Sequence, residues 1–289
     1  MLDVLNKIIL LITTGLLSGC QFTYLIKSGY HQAKILGRRV SLDEALASPE
    51  TSQDIKAKIR LAKEVRAFIR EKMKLKLGEN YTSYVQLDGP YVTYALSGAQ
   101  AFRLEPYEWN YPLVGSLPYR GHFVKEDAIA DELDLKNQGF DTYVRGVSAY
   151  STLGWLSDPL LSSMLRYDDG NLVNVIIHET VHANLFVKGE ADFNERLATY
   201  IGNLGTEMFY REKEGPGSMI LKTIHESSLD DKLFSAFLST ELESLKKWYV
   251  DEAGSMSADR KTARIKDIQQ RFLKDVFPKM KTKDYEFFK

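Results

Sequence analysis

Two imidazoles four residues apart, His178 and His182, stand with a carboxylate at Glu179 and another at Glu195, thirteen positions after the second ring. On an α-helix, residues four apart share a face about 6 Å apart along the axis, so both rings can reach one ion. Glu179 is too close to the first ring to share that ion easily, yet it is placed to accept a proton from water at the metal, the role of a general base. A catalytic zinc takes three protein ligands and keeps a fourth position open, so two histidines leave one ligand to be found. Glu195 opens a second helical pattern after a short turn at Lys188-Gly189-Glu190. Two antiparallel helices joined there can bring its carboxylate to the ion. The expectation is one Zn2+ held by His178, His182 and Glu195, with hydrolysis as its chemistry; two imidazoles and one carboxylate suit zinc better than magnesium or calcium.

These residues need a scaffold, and the composition provides for one. The chain has 289 residues, 44% of them hydrophobic, enough for one large domain or two small ones. With 38 basic and 39 acidic residues the net charge is −1, the signs are mixed along the chain, and no nucleic-acid partner is implied. Cys20 is the single cysteine, which excludes an internal disulfide and a cysteine metal cluster. Ahead of it, Ile8 to Leu17 is an apolar run too short for a membrane span but of signal-peptide length, ending at Leu17-Ser18-Gly19-Cys20.

The elements that must position the site follow from spacing. Asp168-Asp169-Gly170-Asn171 offers an N-cap for the metal helix, whose Val173, Ile176, Ile177, Val181 and Leu185 make a broad apolar face. Phe193, Leu197, Tyr200, Ile201, Leu204 and Met208 give the next helix an apolar stripe, with Glu195 off its centre. Upstream, residues 21–76 read as helical through Ile55, Ile59, Ala62, Val65, Ile69 and Met73, with a capping box at Ser41-Leu42-Asp43-Glu44. Tyr84–Leu87 and Tyr91–Leu96 read as strands about a turn at Asp88-Gly89-Pro90. Residues 104–123, aromatic and broken by proline, read as an ordered loop or cleft wall. A helix over 125–137 closed by Gly139, a strand over 141–147 and a short helix started by Asp158-Pro159-Leu160 come next. Two long amphipathic helices, broken near Ala253-Gly254-Ser255, complete the chain.

Other side chains are candidates for supporting roles. The phenol of Tyr150 can donate to an oxyanion or simply pack. His225, on a late helix, can stabilise a transition state or face solvent. His122 can line the cleft, and Glu190 and Asp192, beside the inter-helix turn, can hydrogen-bond a ligand imidazole or serve the helix dipole.

His178-Glu179-Thr180-Val181-His182 followed by Asn194-Glu195-Arg196-Leu197-Ala198 resembles the gluzincin pattern, in which a Glu on a following helix is the third zinc ligand. The spacing to Glu195 is shorter than in better-known gluzincins, and Thr199 stands where an Asp often orients a histidine. Tyr119-Arg120-Gly121, the run Gly146-Val147-Ser148-Ala149-Tyr150-Ser151-Thr152-Leu153-Gly154-Trp155, and Asp158-Pro159-Leu160-Leu161 resemble a family of bacterial lipoproteins described as predicted aminopeptidases. The Cys20 motif likewise resembles the lipoprotein box, cut before a cysteine that is then lipidated; Gln21 after it favours the periplasmic face of the outer membrane.

Together these readings predict a mostly helical α+β fold, zincin-like, with a small β element before the active-site helix. Residues 1–19 form a lipoprotein signal peptide, 20–80 a helical segment packed on the catalytic part and 81–289 the metallopeptidase domain, with 20–289 one structural unit. The function expected is a zinc metallopeptidase, an aminopeptidase acting on peptide substrates and held to the cell envelope by lipid on Cys20. An endopeptidase or cell-wall peptide amidase would use the same site, and a non-catalytic metal-containing binding lipoprotein is the rival of another class. Oligomeric state is left open.

Overall fold

The computed structural model describes residues 19–111, 115–152, 156–282 and 284–288. Residues 1–18, nearly all of the expected leader, and Leu153-Gly154-Trp155 of the motif noted above lie outside that set.

Helix α1 spans Gly19–Gly37, and strand β1, Val40–Ser41, leads into α2, Leu42–Ala47. Ser41 caps α2, its hydroxyl accepting the Glu44 N–H at 3.0 Å, which is half of the expected capping box. Helix α3, Gln53–Phe68, is capped in the same way by Ser52 and runs on as a π turn, Ile69–Met73. Its Ile59, Ala62, Val65 and Ile69 are buried, as their spacing requires. Among the described residues no helix is long and apolar enough to cross a membrane.

The chain then turns to strands: β2 (Ser83–Val85), β3 (Thr93–Gln100), β4 (Trp109–Tyr111), β5 (Gly115–Leu117) and β6 (Tyr119–His122). Helix α4, Lys125–Asn137, ends before Gly139, whose φ of 85° is the left-handed turn that favours glycine. Strands β7 (Phe140–Val147) and β8 (Leu160–Leu161) follow. One sheet has the order β1-β2-β8, a second β6-β3-β7 with β3 antiparallel to both neighbours, and β4 and β5 form a separate pair.

Several expectations change here. The runs flanking Asp88-Gly89-Pro90 do not pair with each other, because β2 belongs to the first sheet and β3 to the second. Residues 104–123 hold three short strands as well as loop. Asp158-Pro159-Leu160 starts no helix: Leu160 and Leu161 are both buried and pair in parallel with Tyr84 and Val85. Burial on both faces of a short strand overrides the local preference of a proline for a helix start.

Four α-helices follow, α5 (Asp169–Asn184), α6 (Ala191–Glu214), α7 (Met219–Asp251) and, after a 3-10 turn at Ala253–Ser255, α8 (Ala258–Arg271), and a π turn at Phe272–Val276 and 3-10 turns at Phe277–Lys279 and Glu286–Phe288 end the described chain. The molecule is thus mostly helical α+β with small sheets. One hydrophobic core joins Leu172, Val173, Ile176 and Ile177 of α5 to Ile59, Val65 and Ile69, to Val85, Leu160 and Leu161, and to Phe209 of α6. Lys58 also reaches from α3 to Asp169 at 2.6 Å, at the start of α5. Helix α5 is therefore held along its length, the condition for two ligands on it to keep a fixed separation.

Helix α6 does not pack as its apolar stripe suggests. Phe193, Tyr200, Leu204 and Met208 are exposed, and the buried face carries Asn194, Ala198, Gly202, Gly205, Thr206 and Phe209. A Cβ on Gly205 would lie 2.8 Å from Met73 Cε and 3.0 Å from Ile177 Cδ1, and one on Gly202 would lie 3.3 Å from the Asn174 amide oxygen. Small residues at these positions bring the two helix backbones close, so volume rather than hydrophobicity selects the face. Leu185 likewise leaves the expected apolar face of α5, being the C-cap residue and exposed.

Candidate metal centre

Helix α5 begins where the sequence places it. The Asp168 carboxylate accepts the Asn171 N–H at 2.9 Å, satisfying a backbone donor of the first turn. Ten and fourteen residues after Asp168, His178 and His182 point their rings to the same side, with Nε2 atoms 3.1 Å apart.

Two asparagines set the geometry at the far end of the helix. Asn184 accepts the Lys76 N–H and donates to the Lys76 and Thr180 carbonyls, each at 2.8 Å, fixing the last turn of α5 to the segment after α3. Asn194, fully enclosed, accepts from the Val187 N–H at 2.9 Å and donates to the Val187 carbonyl at 2.8 Å. Its amide pairs with that residue as a neighbouring strand would, and so clamps the turn between α5 and α6. Glu195 is the next residue.

Glu195 Oε2 lies 3.5 Å from His178 Nε2, and Oε1 lies 3.6 Å from His182 Nε2. One ligand atom from each residue falls within 4.8 Å of the others. A tetrahedral ion with nitrogen and oxygen ligands about 2.0–2.1 Å away separates those ligands by roughly 3.4 Å. The three observed separations lie on both sides of that value, so the donor set fits such an ion. His182 Nδ1 is buried without a partner among the described residues, so neither Glu190 nor Asp192 makes the expected bond to that ring.

The two carboxylates of the centre are pushed in opposite directions. Burial raises the Glu179 carboxyl to about 7, with Glu195 and Asp158 adding to the rise and His178 opposing it. Glu195 is held well below the usual carboxylate range by hydrogen bonds from His178 and His182. One group is thereby suited to hold a proton and the other to remain an anion.

Tyr150 packs and His225 faces solvent, one of the two alternatives open for each. The Tyr150 hydroxyl donates to the Gln32 side chain of α1, and its ring packs edge-on to Phe123. His225 is exposed on α7. His122 is buried 3.2 Å from Asp131 of α4 and edge-on to Tyr24 of α1.

Two tyrosines stand nearer the chemistry. Burial raises the Tyr119 phenol, and the charges of Glu195 and Glu179 raise it further, while Arg145 opposes them. Tyr81, fully buried, is raised by burial and then by Glu179 and Asp158. Tyr81 also adopts φ 58°, uncommon for a residue with a side chain, and donates its N–H to the Asp158 carbonyl at 2.7 Å. The strands preceding Tyr119 approach the ligand turn through Gly115, where a Cβ would come within 3.0 Å of the Gly189 backbone. The sequence contained a signal for Tyr119, which belongs to the Tyr119-Arg120-Gly121 motif, but that signal named no role.

A buried helix and a close-packed partner bring two imidazoles and a carboxylate together as a group that could hold a metal ion, beside a second, protonatable carboxyl. The chain matches, over residues 23–289, the family described as "putative aminopeptidase", and it belongs to that family, which places it among peptidases. Neither a curated protein nor a solved structure matches the chain.

Proposed function

We propose that this peptidase is a zinc aminopeptidase of gluzincin type, with His178, His182 and Glu195 as the ligands of one ion. The observation that carries the reading is the convergence of those three groups, at 3.1 to 3.6 Å from one another, beside Glu179. A bound zinc supplies Lewis acidity, which polarises the scissile carbonyl and acidifies water. Glu179 takes a proton from the attacking water and delivers it to the leaving amine as the C–N bond breaks. Its environment favours this exchange, since burial keeps its affinity for a proton high. Tyr119 donates its hydroxyl to the carbonyl oxygen as negative charge builds there, the role first considered for Tyr150 and His225.

The address belongs to the same proposal. Cys20, at the head of α1, carries the lipid, and the enzyme works on peptides at the periplasmic face of the outer membrane.

Zinc analysis and turnover of purified variants test the chemistry. Glu179→Gln is expected to keep one equivalent of zinc and to lose turnover by about 10²–10⁴-fold. His182→Ala is expected to lose both. Full turnover in Glu179→Gln protein would overturn the mechanism.

A further inference from the structure

The sheet that carries Tyr119 also carries a charge that hydrolysis does not use. Cross-strand partners lie on one face of a sheet. The pairs Ser97↔Tyr119, Ala95↔Gly121 and Ala95↔Arg145 therefore put Tyr119 and Arg145 on the same side of β3. Arg120 projects from the other side, where it pairs with Asp131 of α4 at 3.2 Å. Strand β5, just ahead of β6, approaches the turn between α5 and α6 at Gly115, where a Cβ would lie 3.0 Å from the Gly189 backbone, so β6 starts beside the candidate centre; the Tyr119 phenol there feels Glu195, Glu179 and Arg145.

Arg145 is exposed, and no carboxylate among the described residues lies within ion-pair distance of it. Gly121 and Ala95, in line with it across the sheet, are too small to cover it. Asp141, on the same face and strand, is taken by Lys261 of α8. Arg145 thus stands on this face as a positive charge without an ion-pair partner among the described residues. A guanidinium presents a planar fork of donors that fits a carboxylate, and beside a hydrolytic centre it acts on whatever anion the substrate brings.

We propose that Arg145 is a specificity-determining residue that binds a carboxylate of the peptide substrate. This rests on the peptidase reading of the metal centre. Strands are about 4.8 Å apart, and each residue of an extended peptide covers about 3.4 Å, so the sheet spacing sets the bound group within roughly three residues of the scissile bond. Two sources offer the same chemistry: the C-terminal carboxylate of a short peptide, or the side chain of an internal Asp or Glu.

Four short peptides separate them: a neutral peptide with a free C-terminus, its C-terminal amide, and amides bearing an internal Glu or the matching Gln. Turnover by zinc-loaded wild-type, Arg145→Gln and Arg145→Lys proteins is compared, and calorimetry on the zinc-loaded Glu179→Gln protein, with and without Arg145→Gln, measures binding apart from turnover. Wild type is expected to prefer acid over amide, or Glu over Gln, by about ten- to a hundredfold, through KM rather than kcat. Arg145→Gln is expected to erase that preference while leaving the neutral amide unchanged, and Arg145→Lys to keep part of it. Equal use of charged and neutral peptides by wild type, equal loss on all four in Arg145→Gln, or no binding of any of them overturns the proposal. Failure of the hydrolytic reading looks different: Glu179→Gln protein would turn over normally, while the KM preference of wild type and its loss in Arg145→Gln would still report on Arg145.

Discussion

Helices α5 and α6 supply one cluster of three donor atoms, yet they are held by opposite means. Helix α5 is surrounded by large aliphatic side chains, with Leu172, Val173, Ile176, Ile177 and Val181 all buried. Helix α6 is held by what it lacks: Ala198, Gly202 and Gly205 let it lie against its partner, while Phe193, Tyr200, Leu204 and Met208 face outward and only Phe209 and Tyr210, near its end, are large and buried. The carboxylates follow the same division. Glu179, on the enclosed helix, is raised by burial, whereas Glu195, about half exposed, is lowered by the imidazoles it faces. Helices of unequal burial thus give two neighbouring carboxyls opposite affinities for a proton.

That contrast can be broken from either side, and the costs should differ. Ile176→Ala on α5 leaves a cavity in a filled core and is expected to destabilise the protein by about 2–5 kcal/mol, read from chemical denaturation. Gly205→Val on α6 does the reverse, forcing atoms where Met73 and Ile177 already stand. It is expected to cost about 1–3 kcal/mol, and also to weaken metal binding in a titration because it pushes Glu195 away from the histidines. Leu204→Ser, in the stripe that amphipathicity alone assigns to the core, is expected to change stability by no more than about 0.5 kcal/mol. A loss like that of Ile176→Ala would show that the exposed face of α6 is covered in solution.

How much of this was legible in the sequence depended on how local the determining physics is. The spacing of His178, Glu179 and His182 is a property of one helix, and the Asp168 cap lies on the same element, so both could be read directly. Glu195 was legible because only a short turn separates it from that helix. The stripe of α6 misleads because helical periodicity reports hydrophobicity and not volume, and only the position of α5 makes Gly202 and Gly205 decisive. The buried strand at Leu160 and Leu161 was misread because Pro159 gives a local helix signal, while the pairing partner lies some 75 positions earlier, at Tyr84 and Val85. Tyr119 and Arg145 had no spacing relation to the histidines. They are brought to one face of a sheet whose register no stretch of sequence reveals.

By itself, then, the sequence determined the donor set: which side chains can share an ion, on which helices, and which carboxyl stands beside them, because helical periodicity converts spacing into direction. The tertiary structure decided everything that depends on proximity across the chain. It chose the face of α6 that meets α5, set the opposite shifts of Glu179 and Glu195, and put Tyr119 within the electrostatic reach of both carboxylates and of Arg145. Burial and electrostatic interaction depend on distance in space, and distance in space between remote segments is settled only when the whole chain packs.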